Sequence, residues 1–87
     1  MILVWQERAE ADLRHWVSTD KALARKVAAL VRAVEIDPFE GIGKPERLRH
    51  VEGNVWSRRI TREHRVVYLV LDDRVIILAT RYHYGRS

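Results

Sequence analysis

Apolar residues recur with a helical period in the first part of this chain and with a two-residue period in the last. Between them stands a segment dense in proline and glycine, Asp37-Pro38-Phe39-Glu40-Gly41-Ile42-Gly43-Lys44-Pro45, which stops any helix or central strand. Ahead of it, Ile2, Leu3 and Val4 are β-prone and read as a short first strand. From Glu7 to Val17, Ala9, Leu13 and Trp16 fall on one helical stripe, with Glu7, Glu10 and Asp12 in the early turns where the helix dipole favours them. Ser18-Thr19-Asp20 breaks the pattern and can cap a second helix, Lys21 to about Glu35, whose stripe is Leu23, Val27, Leu30, Val31 and Val34. A connection this short makes the two helices a hairpin.

Beyond the Pro/Gly segment, Glu46 to Leu48 and Val55 to Thr61 are strand candidates, and Arg62-Glu63-His64 is a tight turn. Arg65 to Leu71 follows, with Val66, Tyr68 and Val70 on one face and Val67, Leu69 and Leu71 on the other. Asp72-Asp73 is a hairpin turn, and Val75 to Tyr84 is the last strand. Phe39 is expected to anchor the Pro/Gly segment on the core. The order implies an α+β domain over residues 1–84, an N-terminal strand and a two-helix hairpin packed on one face of a mostly antiparallel sheet. The other face is left free to bind something, and Gly85-Arg86-Ser87 is a C-terminal tail.

The 87 residues suffice for one core, and 47% of them are hydrophobic. There is no cysteine, which excludes disulfides and thiolate metal sites. The histidines, His15, His50, His64 and His83, stand at no zinc-like spacing, so neither metal nor cofactor is expected. No segment approaches the roughly 20 apolar residues that span a bilayer. The start, Met1-Ile2-Leu3-Val4-Trp5, lacks a basic leader and cleavage site, so a cytoplasmic protein with no membrane partner is expected.

The net charge of +4 is unevenly spread. Residues 1–43 carry six Lys or Arg against seven Asp or Glu, whereas residues 44–87 carry ten against five. Most of the basic residues are arginine, which suits planar, multidentate contact with phosphate. Such a surface is either a solvated basic face or the footprint of a nucleic acid.

Three side chains fit what RNA cleavage requires: a base for the 2′-hydroxyl, a fixed cation for the phosphate and an acid for the leaving oxygen. Glu46, where the rigid Gly43-Lys44-Pro45 segment meets a strand, is either that base or a surface carboxylate in a local salt bridge. Arg65 opens the longest strand, and Arg58 and Arg59 lie just across the turn. Strand alternation lets Arg59 and Arg65 share a side while Arg58 looks elsewhere; clustered like charges call for an anion, or else guard a sheet edge. His83, in Arg81-Tyr82-His83-Tyr84, is either the acid or part of a frayed end. Regular alternation would put Arg81 and His83 on one face and Tyr82 and Tyr84 on the other, where a tyrosine can stack on a base. His15, His64 and His50 read as structural or incidental, and Trp5, Trp16 and Trp56 as core or interface residues.

Four blocks in this order and spacing, Pro38–Glu46, Trp56-Ser57-Arg58-Arg59-Ile60-Thr61, Glu63-His64-Arg65-Val66-Val67-Tyr68 and Arg81-Tyr82-His83-Tyr84, resemble the YoeB-like toxins of the RelE superfamily from Met1 to Tyr84. The resemblance implies a microbial-RNase-type α+β fold and endonucleolytic cleavage of mRNA in the ribosomal A site. It also implies roles: Glu46 as general base, His83 as general acid, Arg65 as the cation at the transition-state phosphate. Lys44, Arg49, Arg59 and Tyr84 become supporting positions for phosphate and base. Arg49 stands where the family commonly has lysine, so phosphate contact is expected to persist with an altered rate. Members of the family form homodimers and bind a YefM-like antitoxin, and the complex binds operator DNA.

Two further readings compete. A non-catalytic module that blocks the A site would use the same basic face without needing Glu46 or His83. A DNA-binding regulator is disfavoured, because no helix carries a one-sided basic stripe fit for the major groove.

Overall fold

The computed structural model describes residues 1–84; the Gly85-Arg86-Ser87 tail lies outside them. The chain runs β1 (Ile2–Trp5), α1 (Glu7–Thr19), α2 (Lys21–Ile36), β2 (Glu46–Arg47), β3 (Val55–Arg59), β4 (Arg65–Val70) and β5 (Arg74–Ala79). The sheet order is β1-β5-β4-β3-β2, with β1 and β5 parallel and every other pair antiparallel. This is the α+β arrangement expected from the change of period. The helical hairpin carries the chain from β1 at one edge of the sheet to β2 at the other, and β1 gains β5 as its parallel neighbour only after the meander of β2 to β5 has returned.

Ser18 and Thr19 stay helical rather than breaking α1, their hydroxyls donating to the His15 carbonyl at 3.0 and 2.7 Å. The break falls at Asp20, extended at φ −157°, whose side chain accepts from Leu23 N–H at 3.2 Å and caps α2.

Both faces of the sheet bury apolar side chains. Toward the helices, Ala9, Trp16, Val27, Leu30, Val31 and Val34 meet Val66, Tyr68, Val70, Val75 and Ile77. On the opposite face a smaller cluster of Val55, Val67, Leu78 and Ala79 is flanked by Leu48, Val51, Leu69, Ile76 and Tyr84. That second cluster floors the region where β2 meets the end of the chain.

The last strand is shorter than the alternation suggests. It ends at Ala79, because one extra residue intrudes: Tyr68 pairs with Ile77 but Val67 pairs with Ala79. The bulge turns both Leu78 and Ala79 to the face away from the helices, and the period-two reading of Arg81 to Tyr84 fails there. Tyr82 then adopts φ +60°, a conformation no strand contains.

Phe39 is not a buried anchor. It is 44% exposed and leans on Trp56, ring centroids 5.1 Å apart. The Pro/Gly segment is pinned by Arg58 instead, a residue with no exposed surface. Its guanidinium donates to the carbonyls of Asp37, of Glu40 at 3.0 Å and of Ile42 at 3.2 Å, and Nε donates to the Tyr68 hydroxyl at 3.1 Å. The Tyr68 hydroxyl donates onward to the Pro38 carbonyl at 2.6 Å. Burial pushes the Tyr68 phenol above its usual range, while Arg58 pulls it the other way. A buried cation is tolerated because carbonyls and a hydroxyl replace its water.

Candidate active site

On the sheet face away from the helices, one cleft of about 580 Å³ is lined by Glu46, Arg47, Leu48, Arg49, His50, Ser57, Arg65, Val67, His83 and Tyr84. Register explains how distant parts of the chain meet there. Glu46 is the Cα partner of Ser57, and Ser57 in turn is the partner of Val67, so the three stand in one row across β2, β3 and β4. Arg65 lies two residues before Val67 and therefore on the same face. His83 and Tyr84 enter from the chain end. Glu46, Arg65 and His83, separated widely in sequence, thus line a single cavity together with Arg49 and Tyr84.

Lys44 and Arg59 sit elsewhere. They line a second, smaller hollow of about 260 Å³ with Lys26, Ala29, Leu30, Ile42 and Gly43. Arg59 is the cross-strand partner of Arg65, but its N–H donates to the Gly43 carbonyl at 2.7 Å, which holds the end of β3 against the Pro/Gly segment. Lys44, at φ +52°, turns away from Glu46 on the same segment.

The cleft is cationic. Among the described residues, Arg47, Arg49, Arg65, His50 and His83 face a single carboxylate, Glu46. The ion pairs among the described residues, Arg8–Asp12 and Arg74–Asp73, both lie outside it. Arg65 Nε is buried with no hydrogen-bond partner among the described residues, a state that costs about 1–3 kcal/mol and that an oxyanion would relieve. A guanidinium that lines one cleft with a carboxylate and an imidazole can bind a phosphodiester, and the other two groups can move protons.

The segment that carries His83 is not frayed. Trp16 Nε1–H donates to the Thr80 carbonyl at 2.8 Å, and Thr80 N–H donates to Asp12 Oδ2 at 3.0 Å. Tyr82 N–H donates to His64 Nδ1 at 2.9 Å, and Arg65 N–H donates to the Tyr82 carbonyl at 3.2 Å. His50 Nε2–H donates to the Tyr84 carbonyl at 3.1 Å, and the Arg8 guanidinium lies 5.4 Å from the Tyr84 ring centre. The left-handed backbone at Tyr82 costs about 1–2 kcal/mol, which its two backbone bonds offset.

His64 is therefore not incidental. Its ring packs edge-on against Trp16 at 4.7 Å and tilts against Tyr82 at 5.1 Å. Burial holds its pKa below the usual histidine range; Glu63 opposes that shift, while Arg81, His15 and His83 add to it. Ser57 and His50 were also missed as cleft residues. Alternation along β3 puts Ser57 on the side of Val55, away from the helices, so it was within reach of the pattern; nothing in the sequence reports the reach of His50 to Tyr84.

Residues 5–84 match the family described as YoeB-like toxin of bacterial type II toxin-antitoxin system. The chain belongs to this family. It is 49% identical to the toxin YoeB of Escherichia coli K12 over 84 residues, 97% of this chain and all of that one. A YoeB/ParE toxin from Agrobacterium tumefaciens, 41% identical, superposes with a TM-score of 0.89 over 97% of this chain and all of that one. A Staphylococcus aureus YoeB solved as a dimer is 34% identical with a TM-score of 0.84, covering 97% of this chain and 98% of that one. The heterotetrameric YoeB–YefM toxin–antitoxin complex of the same organism gives 33% and 0.80 over the same shares. The chain is accordingly a type II toxin–antitoxin toxin with the α+β fold of its relatives. Among the described residues no helix is long and apolar enough to cross a membrane.

Proposed function

We propose that this toxin is an endoribonuclease that cuts messenger RNA in the ribosomal A site by acid–base catalysis. The observation that carries the reading is the meeting of Glu46, Arg65 and His83 in one cationic cleft, with Arg65 Nε buried and unpartnered among the described residues. In this reading Glu46 takes the proton of the 2′-hydroxyl, whose oxygen attacks phosphorus. Arg65 receives the charge that develops on the phosphoryl oxygens. His83 gives a proton to the departing 5′-oxygen, leaving a 2′,3′-cyclic phosphate and a free 5′-hydroxyl. Base, cation and acid are all supplied by the chain, so the step calls on no metal.

Arg49 adds phosphate contact, and the Tyr84 ring offers a face for a splayed base. Lys44 and Arg59, in the neighbouring hollow, would meet an RNA strand only where it continues past the cleft. A homodimer and a YefM-like antitoxin are the partners that the S. aureus assemblies support, and operator DNA binding would come through the antitoxin complex. A cytoplasmic location follows from an mRNA substrate on ribosomes.

Replacing His83 with Gln tests the reading. Cleavage of a translated mRNA should vanish while ribosome binding persists. Equal loss of both, or cleavage that survives, would overturn it. Binding should also weaken steeply as salt rises, as contacts to phosphate require.

A further inference from the structure

Tyr82 is held at both of its backbone groups by consecutive residues of the turn into β4. Its N–H donates to His64 Nδ1 at 2.9 Å, and its carbonyl accepts from Arg65 N–H at 3.2 Å. The clamp closes on Tyr82, whose φ of +60° is left-handed, and His83 follows it directly into the cleft. Whatever fixes Tyr82 fixes the direction from which His83 arrives.

We propose that His64 is a positioning residue of this toxin: its unprotonated Nδ1 accepts the Tyr82 N–H and so sets the His83 imidazole against the scissile phosphate. This rests on the reading of His83 as the acid. One half of the clamp, Arg65 N–H, is a backbone group and is always available. The other half is a side-chain lone pair, and a proton on Nδ1 converts the acceptor into a donor aimed at another donor. The clamp therefore opens when His64 is protonated.

The groups around His64 oppose that protonation more than they favour it. From α1, His15 and Trp16 face it; from the chain end, Arg81, Tyr82 and His83; from its own turn, Glu63. Burial against Trp16, with Arg81, His15 and His83 nearby, favours the neutral ring, and Glu63 alone pulls the other way. The clamp is closed at neutral pH and opens in acid, a response separate from proton transfer at the phosphate.

Two substitutions separate the acceptor from the ring. His64→Asn retains an acceptor oxygen at the place of Nδ1 and cannot be protonated. His64→Phe retains the ring against Trp16 and removes the acceptor. Full-length variants are assayed for cleavage of mRNA on programmed ribosomes, beside His83→Gln. His64→Phe should lose on the order of 100-fold in kcat with KM little changed, as expected of a misplaced catalytic group. His64→Asn should recover most of that rate and lack the acid limb that protonation of His64 is expected to give the native toxin.

Native-like cleavage by His64→Phe alongside an inactive His83→Gln overturns the inference and leaves the reading of His83 standing. An active His83→Gln overturns both. Amide exchange supplies a readout that needs no cleavage and no variant. In the native toxin, Tyr82 N–H should lose protection as a pH series descends from neutrality through the protonation of His64, followed by the shift of its own ring resonances, after correction for intrinsic exchange, while the Trp16 indole N–H bonded to Thr80 keeps it. Equal protection of Tyr82 with His64 neutral and with His64 protonated overturns the inference.

Discussion

The indole of Trp16 and the carbonyl of Thr80, 64 residues apart, share a buried hydrogen bond of 2.8 Å. It ties the third turn of α1 to the point where β5 ends and the chain turns toward the cleft. Thr80 is held again by Asp12, one helical turn before Trp16. The helical hairpin thus does more than cover the core: it fixes the root of the segment that carries His83.

Trp16→Phe should therefore cost about 1–3 kcal/mol, the hydrogen bond and part of the buried ring together. Urea unfolding with an unchanged slope would register the loss as a lower midpoint. Cleavage should fall more than the unfolded fraction explains, because the root of the segment is loosened. A drop in activity that matches the unfolded fraction alone would refute the tie.

Gly43 predicts a contrast with Gly53. At φ +86°, a methyl group on Gly43 would stand 2.6 Å from Leu30 Cδ2 and 3.0 Å from Arg58 Cβ. Gly53 is also left-handed, at φ +94°, but its nearest neighbour would be Leu69 Cδ1 at 3.3 Å. Both alanine substitutions incur backbone strain of about 1–3 kcal/mol, and only Gly43→Ala adds a clash in the core. Thermal unfolding should place Gly43→Ala well below Gly53→Ala. Equal melting temperatures would show that the Pro/Gly segment yields freely.

The stripes on α1 and α2 and the two faces of β4 were legible because helix and strand periods govern long, half-buried elements. The cleft was legible only in part. Glu46 and Arg65 sit on regular strands, where register carries a residue to a known side. His83 does not: the extra residue on β5 breaks the alternation, and the direction of the chain end is set by His64, Arg65 and His50 through bonds to backbone groups. Those bonds have no periodic signature. Arg58 shows the same limit. Alternation separated it from Arg59, but its burial depends on carbonyls of Asp37, Glu40 and Ile42, which only the folded Pro/Gly segment presents.

Arg65 predicts a trade between function and stability. Its Nε is buried without a partner among the described residues, so the free protein carries a cost that the substrate would remove. Arg65→Met keeps the length of the side chain and removes the orphaned donor. The variant should be inactive in mRNA cleavage and yet melt at the native temperature or above it. Added phosphate should raise the melting temperature of the native toxin and leave that of Arg65→Met unmoved. A strongly destabilised variant would mean that the guanidinium is part of the fold's own support.

Acid should weaken the fold through His64, and the sign follows from its lowered pKa. Its unfolded value is that of an ordinary histidine, about 6.5, and in the folded toxin burial against Trp16 holds it lower. The unfolded chain then binds the proton first as pH falls, so the contribution of His64 is present above the unfolded pKa and lost as pH drops through and below it. His64→Asn carries no such proton. The urea midpoints of native toxin and variant, compared across a pH series, should run parallel above neutrality. Below about pH 6.5 the native toxin should fall away faster than the variant. Parallel curves throughout would mean that folding leaves the His64 proton affinity unchanged, and the neutral ring would then owe nothing to its place between Trp16 and Tyr82.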